Sequence, residues 1–114
     1  MENCLFCKII SGDIPSKKVF EDDRLLVIED ITPQAPIHLL FIPKRHFVNC
    51  LDMTEEDEKV VGYIVNKAGE IARTKGAADS GFRLVQNNGE NSGQSVFHIH
   101  FHLLAGRNFT WPPG

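Results

Sequence analysis

The chain has 114 residues, of which 42% are hydrophobic and 24% charged, and its net charge is −3. That length suits one domain with its own core and no second, so residues 1–114 are read as a single domain. The acidic balance and the lack of any Lys/Arg block exclude a nucleic-acid scaffold, and no apolar run approaches the roughly 20 residues of a membrane span.

The first residues, Met-Glu-Asn, lack the basic-then-apolar pattern of a leader. The three cysteines, Cys4, Cys7 and Cys50, do not make a paired disulfide framework, so a cytoplasmic protein is expected. "CLFCKIISGD" (4–13) predicts a short helix of two turns closed by Gly12, and Ile14-Pro15 forces an extended exit. "KKVFEDD" (17–23) and "LLVIED" (25–30) predict strands. "ITPQAP" is a loop, and "IHLLFIP" (37–43) is apolar throughout, as expected of a central strand covered on both faces. Cys50 reads as an apolar position in or beside a short helix. Thr54 and Asp57 form a capping box for a long helix. Val60, Val61, Ile64, Val65, Ala68, Ile71 and Ala72 recur at helical spacing along it, and Gly76 stops it. "FRLVQN" (82–87) predicts a fourth strand, "NGENSGQS" (88–95) a polar loop and "VFHIHFHLLA" (96–105) a fifth strand. The ending "WPPG" excludes helix or central strand there. Short links between successive strands predict an antiparallel sheet with the long helix packed on one face, an α+β domain.

Three of the five histidines stand in "FHIHFH". Strand alternation predicts His98, His100 and His102 on one face, about 7 Å apart, with Phe97, Ile99, Phe101 and Leu103 in the core behind them. A solvated face is one reading, though Lys, Thr or Glu would serve it better. A three-histidine metal site is a second, but in-line strand positions spread their ligands. The third is nucleophilic attack on phosphorus by a neutral imidazole, which crowding of like groups favours. The preceding loop offers glycines and Asn, Gln and Ser donors suited to an anion, without the Walker lysine pattern. Cys4 and Cys7, three apart on the first helix, present both thiols one way. A redox pair would follow a strand, and none precedes residue 4; two small buried apolar groups is the other plain reading.

"HIHFHLL" (98–104) resembles the signature of the histidine triad superfamily. "KIISGDIPSKKVFEDD", "DITPQAPIHLLFIPKRH", "GQSVFHIHFHLLAGR" and "WPPG" resemble its Hint branch of nucleotide-binding phosphoramidases, over nearly the whole chain. The resemblance implies the HIT fold, a five-stranded antiparallel sheet with a long and a short helix, joined sheet to sheet in a homodimer. It implies hydrolysis of purine nucleoside 5′-phosphoramidates and adducts such as lysyl-AMP to AMP and an amine. By that resemblance His100 is the nucleophile that carries the nucleotide, His98 and His102 flank it, and His38 is a fourth, more distant histidine. Asp30 holds the ribose hydroxyls; Asn87, Gly93, Gln94 and Ser95 surround the phosphate and leaving group. Leu5, Phe6, Ile9, Ile28 and Ile31 form the base slot, and Trp111 approaches the partner subunit's site. Some members carry a structural zinc at positions matching Cys4, Cys7, His46 and His98; no catalytic metal is expected. The chemistry agrees: a carboxylate accepts from both cis hydroxyls of ribose. An amine leaves phosphorus only when protonated, which calls for a donor near His100. Ser95 is the first candidate to relay that proton, with His102 orienting or polarising the site. Two alternatives stay open, a dinucleoside polyphosphate hydrolase and a zinc-binding interaction protein with a vestigial nucleotide site.

Overall fold

The computed structural model describes residues 3–114. The elements run α1 (Leu5–Ser11), β1 (Lys18–Glu21), β2 (Leu25–Glu29), β3 (Ile37–Pro43), α2 (Glu55–Thr74), β4 (Phe82–Val85) and β5 (Phe101–Ala105), with single 3-10 turns at Cys50–Asp52 and Glu90–Ser92. The strands form one antiparallel sheet in the order β1-β2-β3-β5-β4. The α+β expectation holds.

Register decides which side chain meets which helix. One face carries Leu25, Val27, Leu39, Phe41, Leu103 and Ala105, which pack with Ile64, Ala68, Ile71 and Ala72 of α2. Val65 lies at the edge of that stripe and is half exposed, although the periodicity predicts it in the core. The other face carries Leu26, Ile28, Leu40 and Ile42, covered by Phe6 and Ile9 of α1. Seven residues make a helix only about 10 Å long, so α1 covers the β2–β3 end alone. The β5–β4 end of that face stays open, and His38 and His102 stand there. Cys4 lies just outside α1 as its N-cap, its Sγ accepting from the Cys7 N–H at 3.3 Å. Gly12, at φ 88°, closes the helix in the left-handed region that favours glycine.

The fifth strand is half the expected length. Residues 96–100 leave the ladder, and only Phe101–Ala105 pair with β3 and β4. On one side β4 stops at Val85; on the other, β3 runs on to Pro43 but pairs with β5 only as far as Phe41. So the three histidines do not share one strand face. Phe97, expected in the core, is 53% exposed, while Ile99 and Leu103 are buried and Phe101 is half-buried. The fourth strand likewise ends two residues early, and Cys50 is exposed on its 3-10 turn rather than packed.

The start of α2 is tied to the loop after β3. Arg45 donates through Nε and Nη2 to the two carboxylate oxygens of Asp57 at 2.7 and 2.6 Å, and the Thr54 N–H donates to Asp57 at 2.9 Å. Asp57 is 2% exposed, and the Arg45 bonds hold its carboxyl well below the usual range despite burial. A carboxylate with a depressed folded pKa contributes its stability above the ordinary value and loses it as pH falls. Asp57→Ala is therefore expected to cost about 2 kcal/mol in urea unfolding. Asp57→Asn is expected to flatten the stability loss below pH 3.8, the ordinary aspartate value; an unchanged acid limb would contradict this.

Candidate active site

His98, His100 and His38 are each oriented by a backbone group whose hydrogen-bonding role is fixed, and His102 follows from His38. A carbonyl only accepts and an amide N–H only donates, so the tautomers follow. His98 is fully buried, and its Nε2–H donates to the Pro43 carbonyl at 2.7 Å. Its Nδ1 is left bare. His100 donates its Nδ1–H to the carbonyl of His98 at 2.8 Å, so Nε2 carries the free lone pair. His38 Nδ1 accepts from the Gln34 N–H at 3.0 Å, which puts the His38 proton on Nε2. That Nε2–H donates to His102 Nδ1 at 2.9 Å, so His102 holds its own proton on Nε2. Three histidines two residues apart thus present three different ends: a ligand nitrogen, a bare nucleophilic nitrogen and an N–H donor.

Burial keeps them neutral. Desolvation lowers His98 and His102 to about 4, with neighbouring imidazoles adding to it. It lowers His100 and His38 as well, against the opposing pull of the Asp30 carboxylate. A neutral His100 at pH 7 is a nucleophile; a protonated one would not be.

His100 and His102 open onto a cleft of about 260 Å³ whose walls include Leu5, Phe6, Ile9, Ile28 and Ile31. Ile31 stands at its rim, 97% exposed, while Phe6 is buried with its ring edge-on to His100 at 4.9 Å. Asp30 and Ser95 line it as well. One Asp30 oxygen accepts from the Thr32 N–H at 2.8 Å; the other lies 3.4 Å from His38 Nε2. Ser16 also lines the cleft, and its Oγ is the one buried side-chain polar atom without a partner among the described residues.

The remaining expected site residues are placed differently. Gln94 is 3% exposed, and its amide is spent inside the loop. It donates to the Val48 and Val96 carbonyls and accepts from the Gly89 N–H and from Asn49. This side chain shapes the loop and has no group left for a phosphate. Gly93, at φ 94°, closes the Glu90–Ser92 turn in the left-handed region that favours glycine. Asn87 lines a second concavity with His38 and His102. Trp111 is 84% exposed on the tail. Sequence reasoning missed the backbone partners, Pro43 O, His98 O and Gln34 N, because no residue type signals them.

Behind the cleft, Cys4, Cys7, His46 and His98 gather their donor atoms. Cys4 Sγ lies 3.4 Å from His98 Nδ1, Cys7 Sγ 3.4 Å from His46 Nδ1, and the two Nδ1 atoms are 3.0 Å apart. Bond lengths of about 2.3 Å to sulfur and 2.0–2.1 Å to nitrogen require ligand separations close to these in a tetrahedron. Burial and the adjacent Cys4 thiol push Cys7 up to about 11, a cost that a divalent cation reverses. Asp30, His38 and His102 also converge. There the Gln34 N–H occupies His38 Nδ1 and leaves a proton on Nε2, so this trio is built as a hydrogen-bond relay rather than a ligand set.

Against known proteins, the family described as scavenger mRNA decapping enzyme C-terminal binding matches residues 3–109. A HIT family hydrolase from Legionella pneumophila superposes with a TM-score of 0.95 at 49% identity, covering 98% of this chain and 100% of that one. Adenylylsulfatase HINT1 of Arabidopsis thaliana is 48% identical over 96% of this chain and 76% of its own. A zinc-bound histidine triad family protein from Mycobacterium smegmatis superposes at a TM-score of 0.81 and 36% identity, over 94% of this chain and 77% of that one. With its H-x-H-x-H strand end, its sheet order and these likenesses, the chain belongs to the histidine triad family, on its Hint branch.

Proposed function

We propose that the protein is a nucleoside phosphoramidase that hydrolyses purine nucleoside 5′-phosphoramidates, lysyl-AMP-like adducts included, through a nucleotide carried on His100. The observation that carries this reading is the His100 Nδ1–H bond to the His98 carbonyl, which leaves a bare, neutral Nε2 at the head of the cleft. The family's hydrolases and the adenylylsulfatase relative support hydrolysis at a nucleotide phosphorus.

The steps balance on residues of the chain. The Nε2 lone pair of His100 attacks phosphorus, and the P–N bond breaks. The amine takes a proton from solvent, relayed by the exposed Ser95 hydroxyl, and leaves neutral. His102 is too weakly basic to hold a second proton at neutral pH, so it acts as a hydrogen-bond donor to a phosphoryl oxygen. Positive charge on the His100 imidazolium is held by the His98 carbonyl. Water then attacks phosphorus, the P–Nε2 bond breaks, and a proton returns to solvent. Asp30 receives the ribose hydroxyls, and Phe6, Ile9 and Ile28 enclose the purine. Asn87 lies beside the reacting phosphate.

Cys4, Cys7, His46 and His98 would hold a zinc ion with no open position, and the bound ion would supply rigidity, pinning α1 to the loop after β3. The zinc-bound relative supports this reading. Pairing of two chains through the open edge of β4, with Trp111 reaching the partner, belongs to the same proposal.

Two experiments test it. With adenosine 5′-phosphoramidate, His100→Ala is expected to lower kcat by at least about 10³-fold and to form no nucleotidyl adduct by mass spectrometry; unchanged turnover would remove the mechanism. Elemental analysis of protein purified without added metal is expected to give close to one zinc per chain, lost in Cys7→Ser together with a drop in Tm. Less than a tenth of an equivalent, with both thiols free, would remove the zinc.

A further inference from the structure

We propose that Arg83 and Arg107 form an oxyanion subsite for the group that leaves phosphorus, giving the enzyme a preference for leaving groups that carry a carboxylate, sulfate or phosphate. The proposal rests on the reading that His100 attacks a nucleotide phosphorus.

The sheet places the first arginine. Val85 of β4 stands opposite His102, and Arg83 stands opposite Leu104, two positions along. Arg83 therefore shares the open face with His102 and His38. Beyond His102 that face forms a second concavity of about 250 Å³, lined by His38, His102, Asn87, Arg83, Arg107 and Phe109 among others. His102 lines this hollow and the nucleotide cleft alike. A substrate passing His102 has its nucleoside on the α1 side and its leaving group among the arginines.

The two guanidiniums are uncompensated. Among the described residues neither lies within 4 Å of a carboxylate; Lys8, Arg24, Arg73 and Lys75 share that lack, but of these cations only Arg83 and Arg107 line the hollow. They flank one ring, with Arg83 at 5.1 Å and Arg107 at 4.3 Å from the centre of Phe109. Arg83 donates one hydrogen bond, to the Thr110 carbonyl. Arg107 donates two, to the Gln34 and Asn108 carbonyls. Each guanidinium has five N–H groups, so most of the donors are free for an anion. Two like charges held together by packing, beside neutral histidines, leave the hollow positive; a bidentate oxyanion satisfies both charge and geometry. The nucleoside side carries the opposite sign, through Asp30.

The test compares two adenosine 5′-phosphoramidates that differ only in the amine tail, one ending in a carboxylate and the other in its neutral amide, with adenylyl sulfate as the sulfate arm. For the wild type the acid-over-amide ratio of kcat/KM is expected to be about tenfold and to fall several-fold between about 50 mM and about 500 mM salt. Arg83→Gln and Arg107→Gln are each expected to bring the ratio toward one, and Arg83→Lys to keep most of it. Arg107 also grips Gln34, so its loss slows every substrate, and the ratio isolates the subsite effect. A wild-type ratio near one without salt dependence would overturn the subsite alone, as would substitutions that leave the ratio unchanged. Absence of turnover on all three substrates would remove the phosphorus-attack reading and the subsite together. The salt dependence of the wild type decides the matter even where a variant fails to fold.

Discussion

The bond from His98 Nε2–H to the Pro43 carbonyl is the constraint on which the site depends. It joins the end of β3 to the segment just before β5, and it fixes both ends of one residue. The side chain is held with Nδ1 toward Cys4, Cys7 and His46. The backbone of the same residue offers its carbonyl to His100 Nδ1–H. The Cys4, Cys7, His46 cluster and the bare nitrogen of His100 are thus both oriented through a single buried residue. Burial favours this arrangement energetically. An unpaired polar group in such a place costs about 1–3 kcal/mol, so His98 Nε2, His100 Nδ1 and His38 Nδ1 each take the partner the backbone provides.

The same burial sets the electrostatics. For His98 and His102 desolvation outweighs every other influence, and the neighbouring imidazoles push in the same direction. Neutral rings stand close together without mutual repulsion, with 5.0 Å between the centres of His100 and His102. Charge is relegated to the rims of the site, with Asp30 in the cleft beside α1 and the arginine pair beyond His102. The relay from the Gln34 N–H through His38 to His102 supplies direction without charge. Arg107 holds the Gln34 carbonyl, so the tail after β5 bears on the relay from the other side of the same peptide segment.

Much of this was legible in the residues. The capping box at Thr54, the glycine stop at Gly12 and the apolar run 37–43 located elements almost to the residue, because each depends on local chemistry. The apolar residues Leu5, Phe6, Ile9, Ile28 and Ile31 do converge on one cleft. Alternation misled at "FHIHFH", since strand period applies only while pairing lasts, and β5 pairs with β4 no further than His102 and with β3 no further than Phe101. Gln94 looked like an anion donor from its type, yet loop closure consumes its amide, a long-range outcome that composition does not carry. Arg83 and Arg107 carry no mark in the sequence, because what distinguishes them is a shared place around Phe109 and beside His102 that exists only in space.

The central claim is that backbone groups, acting on His102 through His38, give His100 the opposite tautomer to His98 and His102. Long-range proton–nitrogen correlation spectra of uniformly 15N-labelled protein at pH 7 test it directly. The account predicts His100 neutral with its proton on Nδ1 and a bare Nε2, and His102 neutral with its proton on Nε2. A His100 that carries its proton on Nε2, or that is doubly protonated at that pH, would contradict it.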